Sequence, residues 1–307
     1  MSRQSVVCIL GPTASGKTGL CLKLFSPSRH VIINTDSQQV YRDLPVGTAQ
    51  PMTGGGDGVS HRLYGFVAPG GRMSAGEFSE LVTVEIRKVE EEGKIPVLSG
   101  GSGFYIQSVL YGLDDLPKQD PEIRARLGRE AESGGLAGLY EKLRALDPDY
   151  AAVISENDKV RIFRALEIHE LSGLKLGQLR KTEKKPRFDA LVIGIDVPRD
   201  LLYRRINERV SAMLDAGWID ETRRVLASGF RDWLLELPAI GYRRVIAYLD
   251  GAISREKTIE LIGQDTRRYA KRQLTWFRKM KEIVWLPYTR EEDVPAIADL
   301  LKSRGLL

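Results

Sequence analysis

Cysteine is scarce in this chain: Cys8 and Cys21 are the only two among 307 residues. That excludes a disulfide-stapled scaffold, and with three scattered histidines no Cys/His spacing for a zinc site remains. Both cysteines fall on apolar stretches beside a glycine-rich loop, so they are expected to be small core residues of a protein in a reducing cytoplasm. Long hydrophobic runs are missing as well. None approaches the roughly 18–20 residues of a membrane span. The N-terminal MSRQSVVCIL lacks the extended apolar segment and cleavage site of a secretory signal. The expectation is a cytoplasmic protein without a membrane partner. Internal repeats and low-complexity tails are absent too. What is left is an ordinary globular composition, 42% hydrophobic and 28% charged, long enough for one large or two modest domains. The net charge of +5 is mildly basic and weakly suggests a polyanionic partner.

The most informative segment is Gly11-Pro12-Thr13-Ala14-Ser15-Gly16-Lys17-Thr18, a complete G-x-x-x-x-G-K-[ST] phosphate loop. Ser5–Leu10 before it reads as a buried strand, and Gly19–Phe25 after it as a helix. Strand, loop and helix N-terminus together cradle an anionic phosphate with backbone N–H groups. Lys17 would neutralise phosphate charge, and the Thr18 hydroxyl would reach a Mg²⁺ bound to that phosphate. The motif specifies a diphosphate or triphosphate without saying which.

Val31–Thr35, Ile95–Ser99 and Leu191–Val197 are further apolar runs, each followed by a loop and a helical pattern. This alternation predicts an α/β fold of the phosphate-loop type, a parallel sheet with helices on both faces. Ligands of such sheets bind at the carboxyl ends of the strands. The phosphate loop, Asp36 and Gly100–Gly103 should therefore converge. Residues 116–188 interrupt the alternation with helical stretches such as Pro121–Ser133 and Leu136–Leu146, and read as a mostly helical insertion into a core of 1–115 and 189–307. Its far edge, Arg180–Arg187, is a basic strap containing Pro186, and Thr53–Gly58 reads as a surface loop. Asp36-Ser37-Gln38-Gln39 follows a strand. The carboxylate there can cap a helix, bind Mg²⁺ or take a proton, and glutamines can read the edge of a base. Ile262–Glu282 is a basic amphipathic helical pattern. Ala270, Leu274 and Phe277 make its apolar stripe, Arg267, Lys271, Arg278 and Lys281 its basic face, and Tyr269 and Trp276 are interleaved.

Gly11–Thr18, Asp36–Tyr41 with Gly47-Thr48-Ala49, Ser74–Phe78 and Gly100–Tyr105 resemble, in order and spacing, the tRNA dimethylallyltransferases. So do VRIFRALE at Val160–Glu167, Arg209-Val210 with Met213-Leu214, AIGYR at Ala239–Arg243 and TRRYAKRQLTWFR at Thr266–Arg278. The resemblance spans nearly the whole chain. It implies transfer of a dimethylallyl group from dimethylallyl diphosphate to N6 of the adenosine 3′ to the anticodon, with Mg²⁺ as cofactor and tRNA as partner. It implies that Asp36 takes the N6 proton, and that Gly11 through Thr18 and Arg209 hold the diphosphate. Ser37, Gln38, Gln39 and Ser102 (where the family often has Thr) would contact the nucleotide, flipped out of its stack. Val160, Arg161, Ile162, Phe163 and Arg164, then Gly241, Tyr242 and Arg243, match stretches that grip tRNA, and Lys271 with Arg272 would track phosphates. Arg205, His30 and His169 are read as surface or packing residues. A monomer is expected.

Met73, Gln50 and the stretch His61-Arg62-Leu63-Tyr64-Gly65 depart from the family pattern and weaken any role for that loop. No zinc module follows the basic helix, which implies a bacterial-type enzyme. Three rival readings are an adenylate isopentenyltransferase acting on free nucleotides, a phosphate-loop kinase and a non-catalytic RNA-binding protein. The basic helix and the full insertion argue against the first, and Asp36 beside an intact phosphate loop argues against the last.

Overall fold

The computed structural model describes residues 5–51, 58–179 and 184–307. The elements run β1 (Ser5–Leu10), α1 (Lys17–Leu24), β2 (His30–Asn34), β3 (Ser60–Arg62), α2 (Ala75–Glu91), β4 (Ile95–Gly100) and α3 (Gly103–Tyr111). Four helices follow: α4 (Pro121–Leu146), α5 (Pro148–Ala151), α6 (Lys159–Ser172) and α7 (Leu176–Leu179). The chain then forms β5 (Asp189–Asp196), α8 (Arg199–Met213), a π-helical turn at Leu214–Trp218, α9 (Ile219–Ala227), α10 (Arg231–Glu236) and α11 (Tyr242–Leu249). It closes with α12 (Arg255–Phe277), β6 (Val284–Pro287), a 3₁₀ turn at Glu291–Asp293 and α13 (Val294–Ser303). None of these helices is long and apolar enough to cross a membrane.

The six strands form one sheet in the order β3-β2-β4-β1-β5-β6, every pair parallel. Alternation along β1 divides the core. Val6, Cys8 and Leu10 pack with Val82, Val109 and Val210 on one side, and Val7 and Ile9 with Leu20, Ile206 and Leu301 on the other. Helices therefore cover both faces, which is why the central strands read as unbroken apolar runs. Both cysteines are buried in these layers, and burial pushes the thiol pKa values up, that of Cys21 to about 12. Strands β3 and β6 were not among the runs read from the sequence. They are the sheet edges, three and four residues long and largely half-exposed; β3 (Ser60-His61-Arg62) has no apolar pattern, and β6 is a short apolar run, Val284–Pro287, that the sequence reading passed over. The helix read as Ile262–Glu282 instead starts behind its Ser254 cap, whose Oγ accepts from Lys257 N at 3.2 Å, and ends at Phe277.

The chain divides into two compact units, Met1–Tyr111 with Pro186–Leu307, and Gly112–Lys185. The second is all helical. Helix α4 breaks at Gly135 (φ 77, ψ 158), which separates the two helical stretches seen in the sequence. Its core gathers Leu127, Leu139, Leu143, Ile162, Phe163 and Leu166. Inside it Glu167 is fully buried and accepts from Arg124 Nε (2.9 Å), Arg164 Nη1 (2.6 Å) and Asp120 N (2.8 Å). Half of the basic strap and most of the glycine-rich loop, including Arg180, Lys181 and Thr53, lie outside the described residues. At the strap's end Lys184 pairs with Asp114 at 3.0 Å.

Candidate active site

Register brings the site together. Leu10 pairs with Gly100 across β1 and β4, and Asn34 with Ser99 across β2 and β4. The segments that follow these three neighbouring strands are the phosphate loop, Asp36–Gln39 and Gly101–Ser102, and all emerge at one level. The convergence expected from strand ends is thus a consequence of parallel pairing.

In the loop Ala14 and Gly16 take left-handed conformations (φ 61 and 93). Lys17 Nζ donates to the carbonyls of Gly11 (3.0 Å) and Pro12 (2.9 Å), which leaves one of its three N–H groups for a ligand. Burial pulls its pKa down to about 8, against the pull of the Asp36 charge and with that of Arg209. Arg209, on α8, is shifted down by burial, opposed by Asp36. Asp36 is held from both sides. Its N–H donates to Asn34 Oδ1 (2.7 Å), and its Oδ1 accepts from Gln38 N (3.0 Å) and Ser102 Oγ (3.4 Å). Among the described residues no hydrogen bond reaches Oδ2. Ser102 also accepts from Ser37 N at 2.9 Å. Gln39 spends its amide on the Thr48 and Ala49 carbonyls, whereas Gln38 Oε1 is buried without a partner.

Two recesses meet at these residues. One, about 1060 Å³, is lined by Gly16, Lys17, Thr18, Gln50, Tyr64, Arg205 and Arg209. The other, about 660 Å³, is walled mainly by apolar groups: Ile206, Val210, Met213, Trp218, Ala239, Ile240 and Ile262. Thr13, Ala14, Asp36, Thr48, Ala49 and Arg209 line both. Ile206, Arg209, Val210 and Met213 share a helix face at the 3.6-residue period. The π turn then brings Trp218 onto the same wall.

Several sequence expectations need correction. Tyr242 is fully buried, its hydroxyl donates to Glu221 Oε1 (2.7 Å), and its ring meets Trp218 edge-on at 5.5 Å. Gly241 has φ 97, and a β-carbon there would overlap the Trp218 ring. These two residues are packing behind the apolar recess, not an RNA surface. Glu221 in turn accepts from Val46 N (2.6 Å) and Gly47 N (2.9 Å), so it pins the 46–49 loop. Arg243 is exposed and donates to Leu235 O at 2.6 Å. Ile162 and Phe163 are buried in the helical core, and Arg164 is committed to Glu167, so of that stretch only Val160 and Arg161 are exposed. Arg205, read as surface charge, lines the phosphate recess and donates to Thr289 O at 2.7 Å. Tyr64 lines the same recess despite its departing sequence context. On α12, Lys271 and Arg272 are exposed, and Trp276 packs edge-on against the exposed Phe104. Asn34 and Trp218 went unread because each is a lone residue on a strand or turn with no local motif, and Gln273, though inside the Thr266–Arg278 stretch, was passed over for its basic neighbours.

The fold and the cleft define a phosphate-loop α/β protein in which a recess lined by that loop meets an apolar recess beside a positioned carboxylate. Comparison with known proteins narrows this. The family model described as IPP transferase matches residues 39–280. The tRNA dimethylallyltransferase of Geobacter sulfurreducens is 41% identical over 95% of this chain and 94% of its own, and that of Bacillus subtilis 38% identical over 95% and 94%. Among solved structures, the full-length tRNA isopentenylpyrophosphate transferase of Bacillus halodurans superposes with a TM-score of 0.70 at 34% identity, covering 98% and 97% of the two chains. A eukaryotic dimethylallyltransferase acting on tRNA shares the fold, with a TM-score of 0.79 at 24% identity over 98% of this chain and 79% of that one. The chain belongs to the IPP transferase family, whose curated members at this similarity are tRNA dimethylallyltransferases.

Proposed function

We propose that this protein transfers the dimethylallyl group of dimethylallyl diphosphate to N6 of the adenosine 3′ to the anticodon of tRNA, and releases diphosphate. The observation that carries the reading is the place of Asp36, on the wall common to the phosphate recess and the apolar recess. A substrate with an anionic head and a five-carbon apolar tail fits across that junction, its reacting carbon beside the carboxylate. The loop N–H groups, the free N–H of Lys17 and the Arg209 guanidinium take the diphosphate charge. The side-chain carbons of Ile206, Val210 and Met213 receive the hydrocarbon.

The N6 lone pair forms the new bond to the allylic carbon. The carbon–oxygen bond breaks with its pair moving onto diphosphate, where Lys17 and Arg209 meet charge as it grows. Asp36 accepts the N6 proton, and its unengaged Oδ2 is the oxygen available for it. The Gln38 Oε1 without a partner offers an acceptor to the base edge. Thr18 is exposed at the phosphate end and supplies one hard oxygen. Among the described residues no group of three or more His, Cys, Asp or Glu stands together. A hard hydroxyl donor of this kind fits Mg²⁺, which Thr18 would hold beside the phosphate loop. Bound there, the ion neutralises charge on the leaving group. The exposed Lys271 and Arg272 of α12, and Arg161 of the helical unit, serve the tRNA backbone.

The test is mass spectrometry of tRNA nucleosides after incubation with dimethylallyl diphosphate and Mg²⁺. The expected product is adenosine heavier by one five-carbon group, only in tRNA. Modification of AMP, ADP or ATP instead would identify an adenylate isopentenyltransferase, and phosphate transfer from labelled ATP a kinase. Unmodified adenosine in every arm would reject the reading.

A further inference from the structure

We infer that Gln273 is the positioning residue that joins the leaving-group half of this site to its acceptor half. The inference rests on the transfer reaction proposed above. Gln273 lies on α12 and is only 4% exposed. Its Oε1 accepts from Thr13 N in the phosphate loop at 2.8 Å, and its Nε2 donates to Gly101 O at 2.8 Å. Gly101 precedes Ser102, whose hydroxyl accepts from Ser37 N and donates to Asp36 Oδ1. One chain of bonds thus runs from the phosphate loop through Gln273 to the carboxylate. Among the described residues no other side chain bonds both segments. Tyr269, one turn earlier on α12, lines the apolar recess.

The chemistry explains why the residue is glutamine. The site needs one acceptor and one donor at fixed separation on an uncharged group. The amide orientation is dictated, since Thr13 offers an N–H and Gly101 a carbonyl. Glutamate cannot donate, lysine cannot accept, and asparagine is one methylene short. The fit is close enough that a β-carbon at Gly101 would overlap the Gln273 amide and come within 3.2 Å of Asp36 Oδ2. The same helix carries the exposed Lys271 and Arg272 immediately before Gln273. The element that offers charge to RNA is therefore bolted to both loops that do chemistry. The reaction needs the allylic carbon and N6 in line, and a misplacement near 1 Å costs about a hundredfold in rate.

The experiment compares Gln273→Glu, Gln273→Met and Gly101→Ala with wild type in the full-length protein. Folding is checked by thermal melting. Separate affinities for dimethylallyl diphosphate and tRNA are measured, and single-turnover rates are taken with both substrates saturating. We expect folded variants with each affinity within about threefold of wild type and a rate lowered by about tenfold to a hundredfold. Gly101→Ala, which pushes the amide from the other side, should share this signature. A rate within twofold of wild type in any folded Gln273 variant would overturn the inference. So would a rate loss matched by an equal loss of diphosphate affinity, which would make Gln273 a shaper of the phosphate loop alone. Variants that fail to fold while wild type folds would also overturn it, as marking a purely structural residue. Wild-type turnover is the internal control: if it is absent, the transfer reaction itself has failed, separately from any statement about Gln273.

Discussion

Two clusters of charge in this protein are built from the same materials and end differently. In the helical unit Glu167 is enclosed by Arg124, Arg164 and the Asp120 N–H. Burial pushes its pKa up, but these three donors outweigh burial and hold it below the usual carboxyl value. At the phosphate loop, Lys17 and Arg209 are brought close to Asp36, and burial wins: both cations are shifted down. Both clusters set two cations against one carboxylate. In the first, both arginines bond Glu167 directly. In the second, among the described residues, neither Lys17 nor Arg209 makes an ion pair with Asp36, and all three line an open recess. Charges tied to one another support a fold, whereas perturbed charges facing a cleft are candidates for function.

The contrast is sharpest at Asp36. Asp36→Asn keeps the shape and the bonds from Gln38 and Ser102 but cannot accept a proton. The expected loss is about 10²–10⁴-fold in kcat, with tRNA affinity within a few-fold. Single-turnover rates on folded enzyme check it, and near-normal turnover would remove Asp36 as the base. Partial rescue by excess Mg²⁺ would reassign it to the metal.

Lys17→Met comes next. Hydrogen bonds to charged groups contribute about 1.5–3 kcal/mol, so kcat/KM for the diphosphate should fall about 10- to 150-fold. The ammonium form is the one that binds. With a folded pKa of about 8, wild-type kcat/KM should fall as pH rises above that value. The variant should lack this limb, and a limb that persists in it would belong to another group.

Glu167→Gln tests the closed cluster and should have the opposite phenotype. We expect a stability loss of about 1–3 kcal/mol by denaturant melts, since two half-buried arginines lose their counter-charge, with kcat unchanged. Glu167 has a folded pKa below its ordinary value of 4.5, so its contribution is complete above that value and is lost as pH falls through the folded pKa. The variant should therefore show a flatter acid limb of stability. A large kcat defect at full stability would break the division between the two clusters.

The smallest effect expected is on salt dependence. Removing Lys271 or Arg272 should reduce the log–log slope of tRNA affinity by about 0.7–0.9 each, whereas Arg164→Met should leave it unchanged because Arg164 is already paired. An equal reduction at Arg164 would return it to the RNA surface.

Legibility followed locality. The phosphate loop, β1, β2, β4 and β5 were readable because a buried parallel strand is a continuous apolar run and the loop is a contiguous motif. Asp36 and Ser102 were readable as strand-end residues. The edge strands β3 and β6 were not: β3 is polar in sequence, and β6, whose Trp285 and Leu286 pack on the core, is only four residues long. Arg161 and Arg164 look alike in sequence, three apart on one helix. Only packing separates them, since one is exposed and the other is tied to a glutamate that also holds Arg124 across the helical core. AIGYR misled in the same way, because its Tyr242 and Gly241 answer to Trp218, presented by a π turn that no pattern announces.

The sequence by itself determined that three loops would meet at the ends of parallel strands with a phosphate-loop motif among them, because that follows from short-range pattern and the rules of parallel sheets. Tertiary structure alone decided which cations would be free. It also decided that an apolar recess would open beside Asp36, and that a glutamine 260 residues from Thr13 would bond the phosphate loop. The physical reason is that hydrogen-bond satisfaction and burial depend on neighbours distant in the chain, and a residue's type states only what it can offer.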